Sequence, residues 1–576
     1  QPSVACAALP PSSAHASAGG RARSVLLRPS RPMCDSPSLE SHRGDPKDRA
    51  LPTPVAKPRV CAALLAFRLA NALLVVTQFD PDEFWQGPEV AHALVYGYGE
   101  VTWEWSYGMR GHAHVLPFVL LLHTLRALRC DSAALVAHAP RLLQAALSAA
   151  GDLALSRFAA VYFEDEAIGR DVLLLSASSW FVWYCAVRTY SSSMEASVLC
   201  VLLALMASPG RLTLGQSRLH ACAVGSLAAL MFQIRPTALL FLPALFGAAL
   251  HLPRDRLRVA ACAIFALGTT LLGVALDRVF YGVWVLPWLN FFRFNLLTDG
   301  ASYYGTHPWH WYASHGLPAV LATHLPLVVL GCTKCKGQVA PLIAAICALV
   351  GLSGSRHKEL RFLMPVVPPL LVYGAVGLRS IPRRRRRACL LILFSLNGLG
   401  ALYLSRWHQQ APIAALAALR AEAASGRLRH IDLLTRCHQT PAFAQLHSPA
   451  RLTMLHCPPP GIVHLQPLEQ QSCGNFPYKA SFASYTSKSS CVNECDCFFE
   501  NFPEAVKHRL RRASKRPSHI ILFEDDYLQT RLLFNRLGYS IIGMYFHELR
   551  PSCLESTLPW ALRTYHLLLL RRDSHK

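Results

Sequence analysis

Apolar runs of membrane-crossing length recur between residues 59 and 405, and this recurrence limits what the chain can fold into more than any other feature. A hydrocarbon core offers no water to backbone N–H and C=O groups, so such runs cross it as helices. The first, residues 60–76, is long enough to span if Arg59 and Gln78 lie at the two surfaces. Arg68 and Asn71 interrupt it and are expected to face protein rather than lipid. Further runs fall near 113–128, 139–163, 171–187, 195–208, 219–235, 236–252, 258–281, 316–331, 338–353, 362–380 and 388–405. Several are short, so roughly ten to twelve spans are expected. Composition agrees. Of the 576 residues 52% are hydrophobic and only 16% charged, where a soluble domain carries about a quarter. The fold class expected is a polytopic α-helical membrane protein.

The net charge of +23 invites a nucleic-acid reading, but its distribution argues against one. Arginines gather at segment ends and in short loops, as in the run 383–387, which is the pattern of the positive-inside bias. No basic and aromatic nucleic-acid module accompanies them. Residues 1–57 are rich in Ser, Pro, Ala and Arg without hydrophobic periodicity, and are expected to form a disordered basic tail on the cytoplasmic side. Residues 58–407 then form the multi-span region. Residues 408–576 are expected across the membrane as a small α+β domain, with a helix near 411–427 and strands near 431–434, 519–523 and 565–568.

Chemistry concentrates in three loops. Immediately beyond the first run stands Asp80-Pro81-Asp82-Glu83-Phe84-Trp85-Gln86. Asp80 at N-cap, Pro81 at the first helical position and Glu83 at the third make a helix start. Asp82 is left over from that capping role. It sits near the positive end of the helix dipole beside a membrane-level cavity, as a candidate general base. The loop continues to residue 112 with Glu89 and His92 three residues apart on one helix face, and Gly87-Pro88 divides it into short helices. The second loop, 282–315, carries Tyr304-Gly305-Thr306-His307-Pro308-Trp309-His310-Trp311-Tyr312. Aromatic rings and amides suit sugars, which offer apolar faces and hydroxyl edges. The third, His357-Lys358-Glu359-Leu360-Arg361-Phe362, is either a positive-inside cap or a phosphate clamp. Arg235, before Pro236, interrupts another span and either snorkels or faces a cavity.

Seven cysteines (437, 457, 473, 491, 495, 497 and 553) fall in the C-terminal region, and at least one disulfide is expected if it lies in an oxidising compartment. The spacing of Cys491, Cys495 and Cys497 raises zinc, but no His/Cys pair follows at ligand spacing. The CxxC of Cys332 and Cys335 reads best as unpaired loop thiols.

The three loop motifs, in this order, resemble those of the dolichol-phosphate-mannose-dependent mannosyltransferases of glycosyltransferase family 22, which have the GT-C architecture. The resemblance covers about residues 58–565. Gly97-Tyr98-Gly99-Glu100-Val101-Thr102-Trp103-Glu104-Trp105 and Cys437-His438-Gln439-Thr440-Pro441 are similar to the members that act on GPI-anchor precursors. It implies an inverting α1,2-mannosyltransferase of the endoplasmic reticulum membrane. Such an enzyme passes a third mannose from dolichol-phosphate-mannose to a GPI precursor in the lumen, without a cofactor or metal. It further implies Asp82 and Glu83 as the catalytic stretch, Asp82 as the base and Glu83 either orienting Asp82 or only capping the helix. Trp85, Glu89, His92, His307, Trp309 and His310 are then candidate substrate-binding residues. His357, Lys358 and Arg361 form the phosphate site, with Arg235 a further candidate. Asp80 departs from the His or apolar residue expected there, so the division of roles among Asp80, Asp82 and Glu83 stays open. Two rival readings are a family 22 enzyme acting on lipid-linked N-glycan intermediates and a lipid transporter or scramblase. The latter calls for carboxylates in mid-span and inverted repeats.

Overall fold

The computed structural model describes residues 58–207, 214–249, 256–335, 337–460, 462, 493–512, 516–551 and 562–573. The tail expected to be disordered, and Cys473, Cys491 and Cys553, lie outside the described residues. The apolar runs fold into helices as expected. Three of those described, Arg256–Tyr281, Tyr312–Lys334 and Arg383–Arg406, have the length and apolarity to cross a bilayer. Shorter apolar helices of 10–17 residues accompany them, among them Ser191–Met206 and Val367–Arg379. On Arg256–Tyr281, Leu267, Leu271 and Leu272 are exposed, which suits a face in contact with lipid chains.

Polar groups within the helices are paired inward. Arg68 on the first helix, Pro58–Leu74, lies 2.7 Å from Asp152 and donates to Ser176 at 3.0 Å. Asn71 donates to the Trp183 carbonyl at 3.0 Å. Both side chains are buried, as membrane-level polar groups require. Helices Leu325–Lys334 and Val367–Arg379 meet through a glycine pair. A Cβ on Gly331 would stand 1.7 Å from the Tyr373 carbonyl oxygen, and one on Gly377 would stand 2.1 Å from that of Leu327. Only a residue without a side chain lets these backbones approach so closely.

The loop beyond the first helix breaks at Gly87-Pro88 into helices Asp82–Trp85 and Pro88–Tyr96, followed by Trp103–Ser106. The C-terminal region is the expected α+β unit: helix Ala411–Ala424 against a five-stranded sheet. Its strands are β1 (His430–Leu434), β2 (Arg451–Thr453), β3 (His519–Phe523), β4 (Tyr539–Pro551) and β5 (Leu562–Arg572), in the order β2-β1-β3-β5-β4. β1 pairs in parallel with β2 and β3, whereas β5 runs antiparallel to β3 and β4. A disulfide joins Cys437 and Cys457. Cys495 lies beside it as a buried thiol, and Cys332 and Cys335 are unpaired.

The sheet unit rests on the first loop. Phe84 and Trp85 share an apolar core with Leu416, Leu419, Ile431 and Phe443. Glu89 accepts hydrogen bonds from the Ala442 and Ala444 amides at 2.7 and 3.0 Å, and His92 meets His447 at 2.9 Å. The loop and the C-terminal unit therefore lie on one side of the helices.

Candidate active site

The site is built around the helix start at residues 80–86. Asp80 caps as expected, its Oδ1 accepting from the Asp82 amide at 3.0 Å. Glu83 does not reach back to complete a capping box. Fully buried, it is gripped from both sides by Arg141 Nε and Arg188 Nη1, each at 2.6 Å. Both arginines also bond the Thr77 carbonyl, at 3.0 and 2.7 Å. The pairing ties the end of the first helix to the start of the next. Fully buried between the two guanidinium groups, Glu83 holds the backbone that carries Asp82, and of the two roles open to it the orienting one fits this geometry.

Asp82 faces the other way. Its Oδ2 accepts from Arg361 Nη1 at 2.5 Å and from the Gln86 amide, while Oδ1 has no hydrogen bond among the described residues. The carboxylate is about a quarter exposed, at 27%. Gln86 reaches on to Glu104 at 3.5 Å, and Glu104 pairs with Arg110 at 2.5 Å. Arg361 is the hub: buried itself, it contacts Asp82, Asp80 at 3.3 Å, and Glu359. Burial alone would weaken its charge, but Asp80, Asp82 and Glu359 hold its pKa well above the usual value. Burial, only partly offset by Arg361, pushes Asp80 up to about 8.

The third loop supplies the cations. His357 Nε2 bonds Glu359 at 2.7 Å, and Nδ1 bonds the Gly305 carbonyl at 3.1 Å, tying the second and third loops together. Burial alone would lower the His357 pKa, but the Glu359 partner outweighs it and raises it. Burial likewise opposes ionisation of Glu359, yet Arg361 and His357 hold it below the usual carboxylate range. Arg235 joins from the helix side: its guanidinium lies 4.6 Å over the Phe362 ring and 3.8 Å from Glu195. Arg361 lies 5.3 Å over the same ring, so two guanidinium groups flank one aromatic. Lys358 turns aside, donating to the Ser355 and His307 carbonyls. His307 stacks on Trp311 at 4.5 Å, and His307, Trp309 and His310 are all exposed.

The residues assigned to the site thus divide. Asp82, Arg361, His357 and Arg235 converge. His307, Trp309 and His310 sit on the adjoining exposed loop. Trp85, Glu89 and His92 lie elsewhere: all three are buried where the first loop meets the sheet unit, and they hold that contact instead of facing a cleft. Burial lowers His92 to about 3 and raises Glu89 to about 7, as docking groups cut off from water. Five residues named in no substrate or catalytic role from the sequence also belong here: Gln86, Glu104 and Arg110 extend the Asp82 network, and Arg141 and Arg188 fix Glu83. Arg141 within one apolar run and Arg188 at the end of another carried a signal, as ionisable residues at membrane depth.

The helical membrane body with its small sheet unit has the GT-C architecture of membrane glycosyltransferases. The structure is similar to crystal structures of ArnT from Cupriavidus metallidurans. The TM-score is 0.57 with the protein bound to undecaprenyl phosphate and 0.54 in its apo state, each at 13% identity over 89% of this chain and 97% of that one. The profile of the Alg9-like mannosyltransferase family matches residues 60–447, and the chain belongs to that family. Similar relatives include GPI alpha-1,2-mannosyltransferase 3 of Bos taurus, 33% identical over 85% of this chain and 86% of its own length. The human protein of the same name is 32% identical over 85% and 84%, and GPI mannosyltransferase 3 of Yarrowia lipolytica is 31% identical over 85% and 95%. The chain is thus a multi-pass membrane mannosyltransferase.

Proposed function

We propose that the chain transfers an α1,2-linked mannose from dolichol-phosphate-mannose to a GPI precursor already carrying two mannoses, in the lumen of the endoplasmic reticulum. The names of its relatives favour this acceptor over N-glycan intermediates. The observation that carries the chemistry is the Asp82–Arg361 contact: a carboxylate with one open oxygen beside a buried cation. Asp82 removes the proton from the acceptor hydroxyl as the oxygen attacks the anomeric carbon from the face opposite the phosphate. That single displacement inverts a β-linked donor into an α-linked product. Arg361, with His357 and Arg235, balances the charge that grows on the departing phosphate. These cations meet the need that a metal ion serves in other phosphate-releasing enzymes.

Expression in cells lacking their own enzyme for this step tests the reading. Restored surface GPI-anchored proteins and disappearance of a two-mannose GPI intermediate are expected. Persistence of that intermediate, with correction of a truncated N-glycan precursor instead, would transfer the chain to the rival acceptor class.

A further inference from the structure

Outside the network so far described, His438 stands in a loop that the fold constrains from several sides. It lies in the loop after β1, and its backbone adopts the left-handed region at φ +63°. A side-chain-bearing residue rarely occupies this region unless its surroundings impose it, and imposed strain of this kind gathers at working sites. The constraints are visible. Cys437, one residue earlier, is tied to Cys457 by the disulfide. The His438 carbonyl accepts from the Trp85 indole at 3.2 Å, and the two rings lie 5.4 Å apart. Thr435 and Thr440 meet at 3.3 Å and close the loop behind it.

The ring packs against Trp85, but its nitrogens are left over. Neither nitrogen makes a hydrogen bond among the described residues, and the side chain is only half-buried. Trp85, which holds the loop, is three residues from Asp82 on the same short helix. The Asp82 carboxylate acts on the imidazole, as does His456. Burial is the largest influence and brings the ring down to about 4, so it is neutral near pH 7. A neutral imidazole offers one donor and one acceptor, which matches adjacent hydroxyls of a sugar ring.

We infer that His438 forms an acceptor subsite, contributed by the C-terminal unit, in which its imidazole hydrogen-bonds sugar hydroxyls and brings the acceptor to Asp82. The inference rests on the mannosyltransferase reading above, and it deepens that reading by assigning the acceptor side to the sheet unit. It also gives Trp85 a task, that of holding the His438 loop.

Steady-state kinetics with a purified two-mannose GPI glycolipid and dolichol-phosphate-mannose provide the test. His438→Gly removes the ring and suits the left-handed backbone, so the fold is kept. The expected result is a rise in acceptor KM of about three- to tenfold, the worth of one or two neutral hydrogen bonds. Donor KM and melting temperature should not change. His438→Gln, which keeps a donor and an acceptor, should recover part of the loss. An unchanged acceptor KM in His438→Gly, or equal losses for donor and acceptor, would overturn the subsite. A wild-type protein that ignores the GPI glycolipid but mannosylates a lipid-linked oligomannose would sink the GPI reading alone. The same His438→Gly comparison with that acceptor would then decide the subsite.

Discussion

At Asp82 and Glu83, adjacent carboxylates have opposite fates because their surroundings differ. Asp82→Asn keeps the shape of the helix start but removes the proton acceptor. Its turnover in mannose transfer by matched purified samples should fall by about 10²–10⁴, with melting temperature little changed. Near-normal turnover would remove Asp82 from the mechanism. Glu83→Gln leaves Arg141 and Arg188 buried with their shared counter-charge gone. Breaking a buried ion pair from one side costs about 3–5 kcal/mol, so this variant should lose thermal stability before any kinetic effect is read. A stable but inactive Glu83→Gln protein would instead return Glu83 to the chemistry. At His357 the sign of the pH effect follows from its raised pKa. The imidazolium is present below that pKa and is lost as pH rises through it, and with it one charge for the phosphate. Donor kcat/KM should therefore fall on the alkaline side, and His357→Gln should lack that limb. An identical alkaline limb in the variant would assign it to another group.

Among the elements, those resting on local signals were legible in the sequence. The Gly87-Pro88 break, the Asp80 cap, helix Ala411–Ala424 and strands β1 and β3 all follow from residues a few positions apart. β4 was missed, and its irregularity explains why: its register with β5 shifts at Ile541/Gly543 and again at Phe546/Glu548, which spoils the period of two. Long-range pairings were legible only as residue types. Asp82 and Arg361 are 279 positions apart, and nothing local says that they touch. Glu89 and His92 were correctly placed on one face, but the face meets the sheet unit rather than a cleft. The expected disulfide is present, and it closes a loop of 20 residues. Removing such a link typically costs about 2–4 kcal/mol. A Cys437→Ser, Cys457→Ser double variant should melt earlier by a corresponding margin. In unreduced, denatured wild-type protein, alkylation should reach Cys495 but spare Cys437 and Cys457. Labelling of all three would deny the bond.

For the whole molecule, the packing and the charge pattern together set an orientation. The first loop and the sheet unit touch through Trp85, Glu89 and His92, so they share one side of the membrane. Residues 383–387 are five consecutive arginines at the start of the last spanning helix, Arg383–Arg406, and such runs are held on the cytoplasmic side. Crossing from there, the helix should deliver the described C-terminal residues to the opposite face, where Asp82 and Arg361 also stand. An oxidising compartment on that face is what the Cys437–Cys457 bond requires. In sealed microsomes a C-terminal tag should therefore resist added protease and become sensitive once detergent opens the vesicles. Digestion of the tag in intact vesicles would place the sheet unit in the cytoplasm. The arginine run and the proposed lumenal placement of the site could not then both be right. A second tag inserted between Tyr98 and Glu100 should share the fate of the first. Separation of the two would contradict the contact between loop and sheet unit on which the site depends.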